Sequence, residues 1–374
     1  MRVLCTSDWH LGKKTENKSR LFEQRAVIER IIEIIDEQKI DVTVIAGDVF
    51  DTSIPSSEAE ELFFEYAYKI GKKSLLVVLA GNHDDASRLC APNALARACN
   101  VIMYGSEFVP FEKEGLIANE NGIIYTKNSQ TLRLAVLPYP SDSSIMLKED
   151  EVYSEKVAKI IEEKCSLFNT GCINMFASHL FMVGGITSAN DERELGSAKL
   201  LPIEILPQNC FTLLGHVHKP MTVSKSKNAY YSGSIMPYSF DDNSEKRVIV
   251  LDSDGDNYSV ESVPLSGYRK CERVQADSFE KIEEILDTNP NLIEIRYTGQ
   301  EALLPSDFAS LRRRENFAKI VVERKEVKER KVRKEMSAQE IFEAFYEKKK
   351  GVKPRVDLTE AFVGFMAESE SEKR

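Results

Sequence analysis

All five histidines of the chain stand in short polar motifs that each follow an apolar run. The motifs are Ser7-Asp8-Trp9-His10, Gly81-Asn82-His83-Asp84, Ala177-Ser178-His179 and Gly215-His216-Val217-His218, and Gly47-Asp48 holds a similar position. Side chains two residues apart in an extended segment project to the same face, so the Asp-x-His and His-x-His pairs could each grip one ion or two adjacent ions. Imidazole, carboxylate and amide donors without a thiolate favour Mn, Fe or Zn over Mg or Ca. The pattern predicts a metal site.

The apolar runs before these motifs predict the strands of an α/β domain over roughly the first 220 residues. The predicted strands are Val3–Thr6, Val42–Ala46, Leu75–Leu79, Leu132–Leu137, Ile173–Ala177 and Phe211–Leu214. A helix is predicted from Arg20 to Gln38, and a second helix begins at Ser57, where Ser57 and Glu60 could form a capping box. Because ligand sites in open α/β sheets form beyond the carboxyl ends of the strands, we expect the five polar segments to converge.

The later part of the chain divides into further elements. Strands from Tyr230 to about Val263 predict a second, more antiparallel sheet, and the pattern changes near Ser266-Gly267. From Cys271 to Val327 the order strand, helix, strand, helix, strand predicts a small α/β domain. The predicted domains are therefore residues 1–265, 266–328 and 329–374.

Two short amphipathic helices are predicted near the C-terminus. Ser337 with Glu340 opens the first, which ends at Gly351, and Asp357 with Glu360 opens the second. Their apolar residues include Ile341, Phe342, Phe345, Tyr346, Leu358, Phe362, Phe365 and Met366. These stripes could form a docking surface for another protein, or they could fold back on their own domain.

The net charge of −10 is unusual for an enzyme that acts on nucleic acid, since DNA-binding proteins usually carry a basic face. Two bound divalent cations would offset the negative charge where a phosphate must sit. The stretch from Arg312 to Lys334 is also locally basic. It could contact DNA, or it could be a solvated strand and linker.

Several features predict a soluble cytoplasmic protein. The seven cysteines include no C-x-x-C pair, which indicates reduced thiols rather than disulfides or a zinc–cysteine site. No apolar run approaches the roughly 18 residues that span a membrane. Residues 1–5 lead directly into the first predicted strand, which leaves no room for a signal peptide. The sequence lacks a G-x-x-x-x-G-K-[ST] phosphate loop, so any ATP dependence must come from a partner.

The ordered motifs resemble those of the calcineurin-like metallophosphoesterases. The resemblance is carried by Asp8-Trp9-His10, Gly47-Asp48-Val49-Phe50-Asp51, Gly81-Asn82-His83-Asp84, His179 and Gly215-His216-Val217-His218. Ser7-Asp8-Trp9-His10-Leu11-Gly12 and Tyr231-Ser232-Gly233-Ser234 further resemble the SbcD family, the nuclease subunits of bacterial SbcC–SbcD complexes. The fold that this resemblance implies is α/β, a β-sandwich flanked by helices, with a small appended α/β capping domain and a C-terminal helix pair.

The resemblance also implies roles for individual residues. One metal would be held by Asp8, His10, Asp48 and His218, and the second by Asp48, Asn82, His179 and His216, so that Asp48 bridges the two. His83 would not be a ligand but would stand over the scissile phosphate, and Asp51 would orient it. The implied cofactor is a pair of Mn ions, with Fe, Zn or Mg as alternatives.

The activity and partners are likewise implied by the resemblance. They are 3′-to-5′ exonuclease and single-strand endonuclease activity at DNA ends and hairpins, in repair, recombination and replication. The C-terminal helices would bind an SbcC-type ATPase, and the chain would form a homodimer within a heterotetramer.

Two other functions fit parts of the pattern. A phosphomonoesterase or protein phosphatase would use nearly the same metal centre, although it would not need the small domain and the helix pair. A non-catalytic scaffold could keep the fold for binding, but such relatives usually lose ligands, and here every ligand position is filled.

Overall fold

Two β-sheets packed face to face form the centre of the molecule. The computed structural model describes residues 1–105, 107–183, 199–254, 257–323 and 337–371. The chain divides into two units, Met1–Glu323 and Arg324–Arg374, and each is described by itself. Among the described helices, none is both long enough and apolar enough to cross a membrane.

The bounds of the elements are as follows. The strands are β1 (Arg2–Thr6), β2 (Lys14–Thr15), β3 (Lys18–Ser19), β4 (Val42–Ala46), β5 (Leu75–Leu79), β6 (Val101–Tyr104), β7 (Phe111–Lys113), β8 (Leu116–Asn119), β9 (Gly122–Lys127), β10 (Gln130–Leu137), β11 (Ile173–His179), β12 (Phe211–Gly215), β13 (Met221–Ser224), β14 (Ala229–Tyr231), β15 (Arg247–Asp254), β16 (Asn257–Pro264), β17 (Cys271–Ala276), β18 (Leu292–Tyr297) and β19 (Phe317–Val322). The α-helices are α1 (Leu21–Glu37), α2 (Ser57–Gly71), α3 (Ala86–Cys90), α4 (Asn93–Ala96), α5 (Tyr153–Cys165), α6 (Phe279–Thr288), α7 (Pro305–Arg312), α8 (Ala338–Lys350) and α9 (Val356–Ser371).

The first sheet has the strand order β16-β15-β1-β4-β5-β6. Strands β1, β4, β5 and β6 are parallel, whereas β15 pairs antiparallel with β1 and β16 antiparallel with β15. The expectation that the strands before Val263 belong to a second sheet was therefore wrong for β15 and β16. They extend the first sheet, because β1 offers them its free edge opposite β4.

The second sheet has the order β13-β14-β12-β11-β10-β9-β8-β7. Its four central strands, β14, β12, β11 and β10, run parallel, and antiparallel hairpins extend it at both ends. The predicted strands before His179 and His216 are β11 and β12. The metal motifs are consequently shared between two sheets rather than placed along one.

Apolar side chains on both faces of the strands build three layers of core. Val3 and Cys5 of β1 pack between the sheets, whereas Leu4 packs on the opposite face with α1 and α2. Helix α5 covers the outer face of the second sheet through Val157 and Ile161. Strands buried on both faces read as continuous apolar runs, which is why the sequence reveals them. All seven cysteines lie within the described residues and are free thiols.

The first two helices show how local signals act. Helix α1 spans Leu21–Glu37, close to its predicted bounds. Helix α2 begins at Ser57 as predicted, but its cap is Ser56, whose side chain accepts a hydrogen bond from the amide of Ala59. The predicted capping box at Ser57 and Glu60 was wrong by one residue. Glu60 instead pairs with Arg88, with 2.7 Å between Nε and the carboxylate.

A small three-stranded parallel sheet, β17-β18-β19, follows the sandwich and carries α6 and α7 as its crossovers. This confirms the predicted order of strand, helix, strand, helix, strand. Its attachment to the sandwich includes a buried polar group that we call the junction cluster: Arg20, Glu23, Arg269 and Cys271. The Arg20 guanidinium donates to both Glu23 carboxylate oxygens and, at 3.0 Å, to the main-chain carbonyl of Arg269.

Helices α8 and α9 form the described part of the second unit. Ser337 and Glu340 make the predicted capping box, and Gly351 ends α8 with a φ of 73°. The rings of Phe342 and Phe362 stack at a centroid distance of 4.3 Å and join the two helices. By contrast, Phe345 and Phe365 are 61% and 72% exposed. The side chain of Met366 lies outside the described part of the chain.

Candidate metal centre

The polar motifs converge at the carboxyl ends of five strands. Strands β1, β4 and β5 deliver the first three motifs from one sheet, and β11 and β12 deliver the last two from the other. Main-chain hydrogen bonds tie the loops together: the amide of Asp8 donates to the carbonyl of Gly47 at 3.0 Å, and that of His10 to Asp48 at 2.9 Å. The seven predicted ligands meet here, and we call them the metal-centre cluster: Asp8, His10, Asp48, Asn82, His179, His216 and His218.

The backbone of this cluster is held in an uncommon conformation. Asp8, His10, Asp48 and His216 have φ values of 53°, 44°, 51° and 102°. Non-glycine residues rarely adopt positive φ, and such strain concentrates at functional sites. Gly47 (φ 89°) is also required sterically, since a Cβ there would lie 2.3 Å from Nδ1 of His179. The loops are therefore shaped to bring their side chains together.

One half of the cluster contains Asp8, His10, Asp48 and His218. The Nε2 atoms of His10 and His218 lie 2.9 Å apart, and Nε2 of His10 is 3.5 Å from Oδ2 of Asp48. Potential ligand atoms of Asp8, His10 and His218 all lie within 4.8 Å of one another. Both residues of the Asp-x-His motif are fully buried.

The other half contains Asp48, Asn82, His179 and His216. Oδ1 of Asn82 lies 3.0 Å from Nε2 of His179 and 2.8 Å from Nδ1 of His216. Nε2 of His179 is also 3.3 Å from Oδ2 of Asp48. The same carboxylate oxygen therefore lies beside one imidazole of each half.

The electrostatics of the imidazoles favour metal binding. Burial, with His179 nearby, lowers the pKa of His216 to about 3. Burial and His10 also hold the pKa of His218 well below its ordinary value. Both rings are therefore neutral at neutral pH, which is the form that binds metals. His179 donates from Nδ1 to the carbonyl of Ala46 at 2.8 Å, so Nε2 is its nitrogen that could bind a metal.

The carboxylates and His179 respond to one another. Burial raises the pKa of Asp8, and the Asp48 charge raises it further. Burial also acts on Asp48, but His179 and His10 outweigh it and hold the pKa of Asp48 well below its usual range. Burial lowers the pKa of His179, but Asp48, Asp8 and the Ala46 carbonyl together outweigh burial and raise it to about 9. A bound cation would take the place of that proton.

Divalent cations fit this donor set. In the described part of the chain, Nε2 of His216 is buried without a hydrogen-bond partner. Unpartnered buried polar atoms are uncommon and call for an explanation such as an ion. Two carboxylates, four imidazoles and one amide oxygen at these distances are a donor set compatible with two divalent cations.

His83 and Asp51 also lie at the cluster, with a contact that differs from the expected one. The amide of His83 donates to Oδ1 of Asp48 at 2.9 Å, and its ring lies 4.9 Å from that of His10. Nδ1 of His83 is 2.7 Å from the main-chain carbonyl of Asp51 rather than from its carboxylate. That carboxylate lies 3.2 Å from Nζ of Lys13 and 3.5 Å from Nδ1 of His10.

Three supporting groups have no role predicted from the sequence: Asp84, the pair of Ser7 and Ser232, and Lys246. The Asp84 carboxylate accepts hydrogen bonds from the amides of Gly81, Val49 and Phe50, which clamps two ligand loops together. Ser7 donates to Asp8 and contacts Ser232 at 2.8 Å. Only the Gly-Asn-His-Asp and Tyr-Ser-Gly-Ser motifs could have pointed to Asp84 and Ser232.

The third supporting group, Lys246, carries no motif at all. It is fully buried, and its ammonium donates at 2.9 Å to the carbonyl of His218 and at 2.9 Å to Oγ of Ser234. It also pairs with Asp242. Lys246 thus fixes the main chain that carries a candidate ligand.

The predicted basic run is only partly described. Arg314 pairs with Asp287, and Lys319 pairs with Glu16 and Glu294, so part of its charge is neutralised within the chain. The rest of the run, residues 324–334, lies outside the described residues.

Comparisons with known proteins identify the family of the chain. The model of the calcineurin-like phosphoesterase family matches residues 1–220. The SbcD subunit of nuclease SbcCD from Bacillus subtilis (strain 168) is 31% identical over 94% of this chain and 94% of its own length. The protein of the same name from Staphylococcus epidermidis is 29% identical over 76% of this chain and 75% of its own length.

Among solved structures, a dimetal phosphatase from Danio rerio is 10% identical with a TM-score of 0.41, covering 71% of this chain and 99% of that one. This likeness is too weak to carry an argument. The family model and the long alignments establish the family without it. The chain belongs to the calcineurin-like phosphoesterases and, within them, to the family of SbcD subunits of nuclease SbcCD.

Proposed function

We propose that the chain is a DNA nuclease that hydrolyses phosphodiester bonds with two divalent cations, and that Mn is the physiological metal. The observation that carries the proposal is the position of Asp48. Its Oδ2 lies 3.5 Å from Nε2 of His10 and 3.3 Å from Nε2 of His179, between the two halves of the cluster. A carboxylate shared in this way is what a pair of adjacent cations needs.

The proposed ligands follow the two halves. Asp8, His10, Asp48 and His218 hold one ion, and Asp48, Asn82, His179 and His216 hold the other. When bound, the two cations would supply a nucleophile from water at neutral pH and would stabilise charge on the phosphoryl oxygens. The protein's own part is to fix these side chains, which the strained loops and the Asp84 clamp support.

His83 is the proposed general acid. Its Nδ1 donates to the Asp51 carbonyl, which fixes the ring and leaves Nε2 as the nitrogen that can exchange a proton. A protonated His83 can pass that proton to the leaving oxygen of the phosphodiester. Asp51 thus acts on His83 through its main chain, while its carboxylate holds Lys13 and faces His10.

The experiment on catalysis compares His83→Ala with the wild type on single-stranded DNA and on p-nitrophenyl phosphate with Mn²⁺. We expect His83→Ala to bind Mn²⁺ and DNA normally and to lose about 10²- to 10⁴-fold in kcat. Glu61→Ala, an exposed change on α2, is the control. Unimpaired cleavage would remove His83 from the mechanism. Wild-type turnover of the monoester but not of DNA would make the protein a phosphatase.

The DNA substrates and the domain roles are also proposals. We propose 3′-to-5′ exonuclease and single-strand endonuclease activity at ends and hairpins, because the chain matches the SbcD subunit of a nuclease over almost its whole length. The small β17–β19 domain and the basic residues that follow it would help to hold DNA. Cleavage of end-blocked and open DNA labelled at either end would test the polarity.

The C-terminal helices are the proposed docking site for an SbcC-type ATPase. Phe342 and Phe362 are used in joining α8 to α9, so the exposed rings of Phe345 and Phe365 remain for a partner. Exposed aromatic rings of this kind anchor amphipathic helices in apolar grooves.

The docking proposal is tested with the double variant Phe345→Asp and Phe365→Asp. It should no longer co-purify with the SbcC-type ATPase of the same organism, while its Mn²⁺-dependent cleavage of single-stranded DNA persists. Glu347→Ala, an exposed polar change on α8, is the control. Undiminished co-purification of the double variant would contradict this assignment.

A further inference from the structure

A second recess adjoins the metal-centre cluster and is used by none of the roles above. It is a cavity of about 700 Å³, and Asn82 forms part of its wall. From there it extends along Tyr139 and the following loop towards Tyr104 and Phe108. Its volume lies within the range of about 300–1,000 Å³ found for small-ligand sites. A group bound in it would lie next to whatever the cations hold.

Three aromatic side chains form the cavity wall. Tyr104 and Phe108 are stacked, with ring centroids 4.3 Å apart and planes 6° from parallel. Tyr139 stands on the side nearest the metal-centre cluster, and its ring lies edge-on at 6.3 Å from that of His179. Tyr104 and Phe108 touch no predicted ligand in the described contacts. Flat aromatic rings beside a phosphoesterase centre are suited to stacking with a nucleobase.

A hydroxyl group without a hydrogen-bond partner also points to a ligand. Within the described residues, the buried hydroxyl of Tyr104 has no hydrogen-bond partner. A buried hydroxyl without a partner is costly, so it is usually satisfied by a ligand or a water molecule. A nucleobase carries donors and acceptors on its edge that can meet this need.

The cavity wall also carries charged side chains of both signs, with Asp84 and Glu120 as its acidic residues. Lys156 is paired with Glu151 at 3.0 Å, and Lys164 donates to the carbonyl of Glu120. Lys148 also lines the cavity, is exposed, and within the described part of the chain its ammonium makes no ion pair or hydrogen bond. Its charge is available for a phosphate.

We infer that this cavity binds the unpaired nucleotide next to the scissile phosphate. The base stacks against Tyr139 and contacts the edge of the Tyr104–Phe108 pair, because Tyr104 and the Arg97 guanidinium already cover the Phe108 ring. Lys148 contacts the phosphate beyond the base. The inference rests on the proposed nuclease function and names its substrate more closely: a DNA strand whose bases are already separated from a complement. A duplex must fray at its end before its strand can enter, because a paired base cannot reach a recess of this kind.

The experiment uses the full chain with Mn²⁺ and compares three substrates: single-stranded oligothymidylate, blunt duplex DNA, and bis-p-nitrophenyl phosphate, which has no base. The variants are Phe108→Ala, Tyr139→Ala, Tyr139→Phe and Lys148→Ala, with Lys159→Ala on α5 as the control. Binding of an oligonucleotide that carries 2-aminopurine is measured in EDTA, so that this readout does not depend on cleavage.

We expect Phe108→Ala and Tyr139→Ala each to lower kcat/KM on single-stranded DNA by about 5- to 150-fold relative to the base-free diester. Tyr139→Phe keeps the ring and should restore the ratio. Wild-type protein should quench 2-aminopurine fluorescence, and the alanine variants should not. Lys148→Ala should reduce the dependence of log K on log salt concentration by about 0.7. Lys159→Ala should change neither value.

The experiment distinguishes failure of the proposed nuclease function from failure of the nucleotide site. If wild-type protein hydrolyses none of the substrates, the proposed nuclease function fails. If it cleaves DNA but both alanine variants keep the wild-type ratio and quenching, the nucleotide site is refuted and the nuclease stands. An equal loss on all substrates would show that the rings only support the metal-centre cluster, which also overturns the inference.

Discussion

Glu23 and Gln24 are neighbours in the first turn of α1, yet they contact two different buried polar clusters. The two clusters differ in whether their charged groups are paired. Glu23 belongs to the junction cluster, where Arg20 donates to both its oxygens and Arg269 supplies two further hydrogen bonds. Gln24 donates to the carbonyl of His10 and so supports the metal-centre cluster. One cluster pairs every charge, whereas the other does not.

The two clusters differ in which side-chain groups face each other. In the metal-centre cluster, two ring nitrogens face each other at 2.9 Å, two carboxylates lie buried together, and Nε2 of His216 has no partner among the described residues. In the junction cluster, the remaining Arg20 donors reach Thr15 and the Pro237 carbonyl. A buried cluster in which every charged group has a partner holds parts of the chain together. A buried cluster with donor atoms left unpaired is suited to binding cations.

The largest expected effect on the contrast between the two clusters comes from removing the Asp48 carboxylate. Asp48→Ala should lower kcat on single-stranded DNA by about 10³-fold or more, since a metal centre supplies several kcal/mol to the reaction. The free energy of unfolding in EDTA should fall little, because the change also removes a buried charge next to Asp8. Metal analysis and urea denaturation measure the two effects. Retained Mn²⁺ and activity would refute the assignment of Asp48.

The matching test in the junction cluster should have the reverse outcome. Arg20→Ala removes the arginine that donates to both oxygens of the buried Glu23 and leaves Arg269 as its ion-pair partner. It should lower the free energy of unfolding by about 3–5 kcal/mol, equally with EDTA and with Mn²⁺. Arg30→Ala is the control, because that arginine makes only exposed pairs with Glu33 and Glu37 and its loss should cost less than about 1 kcal/mol. A loss for Arg20→Ala as small as that for Arg30→Ala would contradict the contrast.

Lys246 sharpens the comparison, since it is paired like the junction cluster but donates to the main chain of His218. Lys246→Met should weaken Mn²⁺ binding by about 10- to 100-fold, the usual cost of losing a group that orients a ligand. Calorimetric titration with Mn²⁺ measures it. Lys227→Met is the control, because Lys227 also donates to a main-chain carbonyl, that of Leu206 at 2.7 Å, away from the metal centre. Equal Mn²⁺ affinity in the two variants would show that Lys246 does not position His218.

The smallest effect concerns pH. Burial opposes ionisation of Glu23, but hydrogen bonds from Arg20 and Arg269 outweigh it and lower the pKa of Glu23 below 4.5. The stabilisation is therefore complete above pH 4.5 and is lost as the pH falls through the lowered pKa. Glu23→Gln should flatten the acid side of the curve of unfolding free energy against pH. An unchanged acid slope in this variant would rule out Glu23 as a source of that dependence.

The sequence was informative where chemistry and hydrophobic patterning coincide. Strands β4 and β5 have their predicted bounds because buried parallel strands are continuous apolar runs, and the histidine motifs stand at strand ends. The sequence was uninformative about residues and strands whose role depends on partners far away in the chain. Lys246 looks like any surface lysine until His218 and Asp242 enclose it, and the sheet that β15 joins depends on the edge of β1. The contact of His83 with a main-chain carbonyl has no side-chain signature at all.

The pairing of β1 with both β4 and β15 has a consequence for synthesis on the ribosome. Strand β1 is translated well before one of its two partners, because Arg247–Asp254 emerges more than two hundred residues later. A nascent chain therefore carries an apolar strand with an open edge for many seconds, at translation rates of about 5–20 residues per second. His216 and His218 also follow His10 by more than two hundred residues, so the nascent chain cannot complete the candidate cation site before they emerge. Until β15 emerges, the edge of β1 opposite β4 lacks its native partner strand.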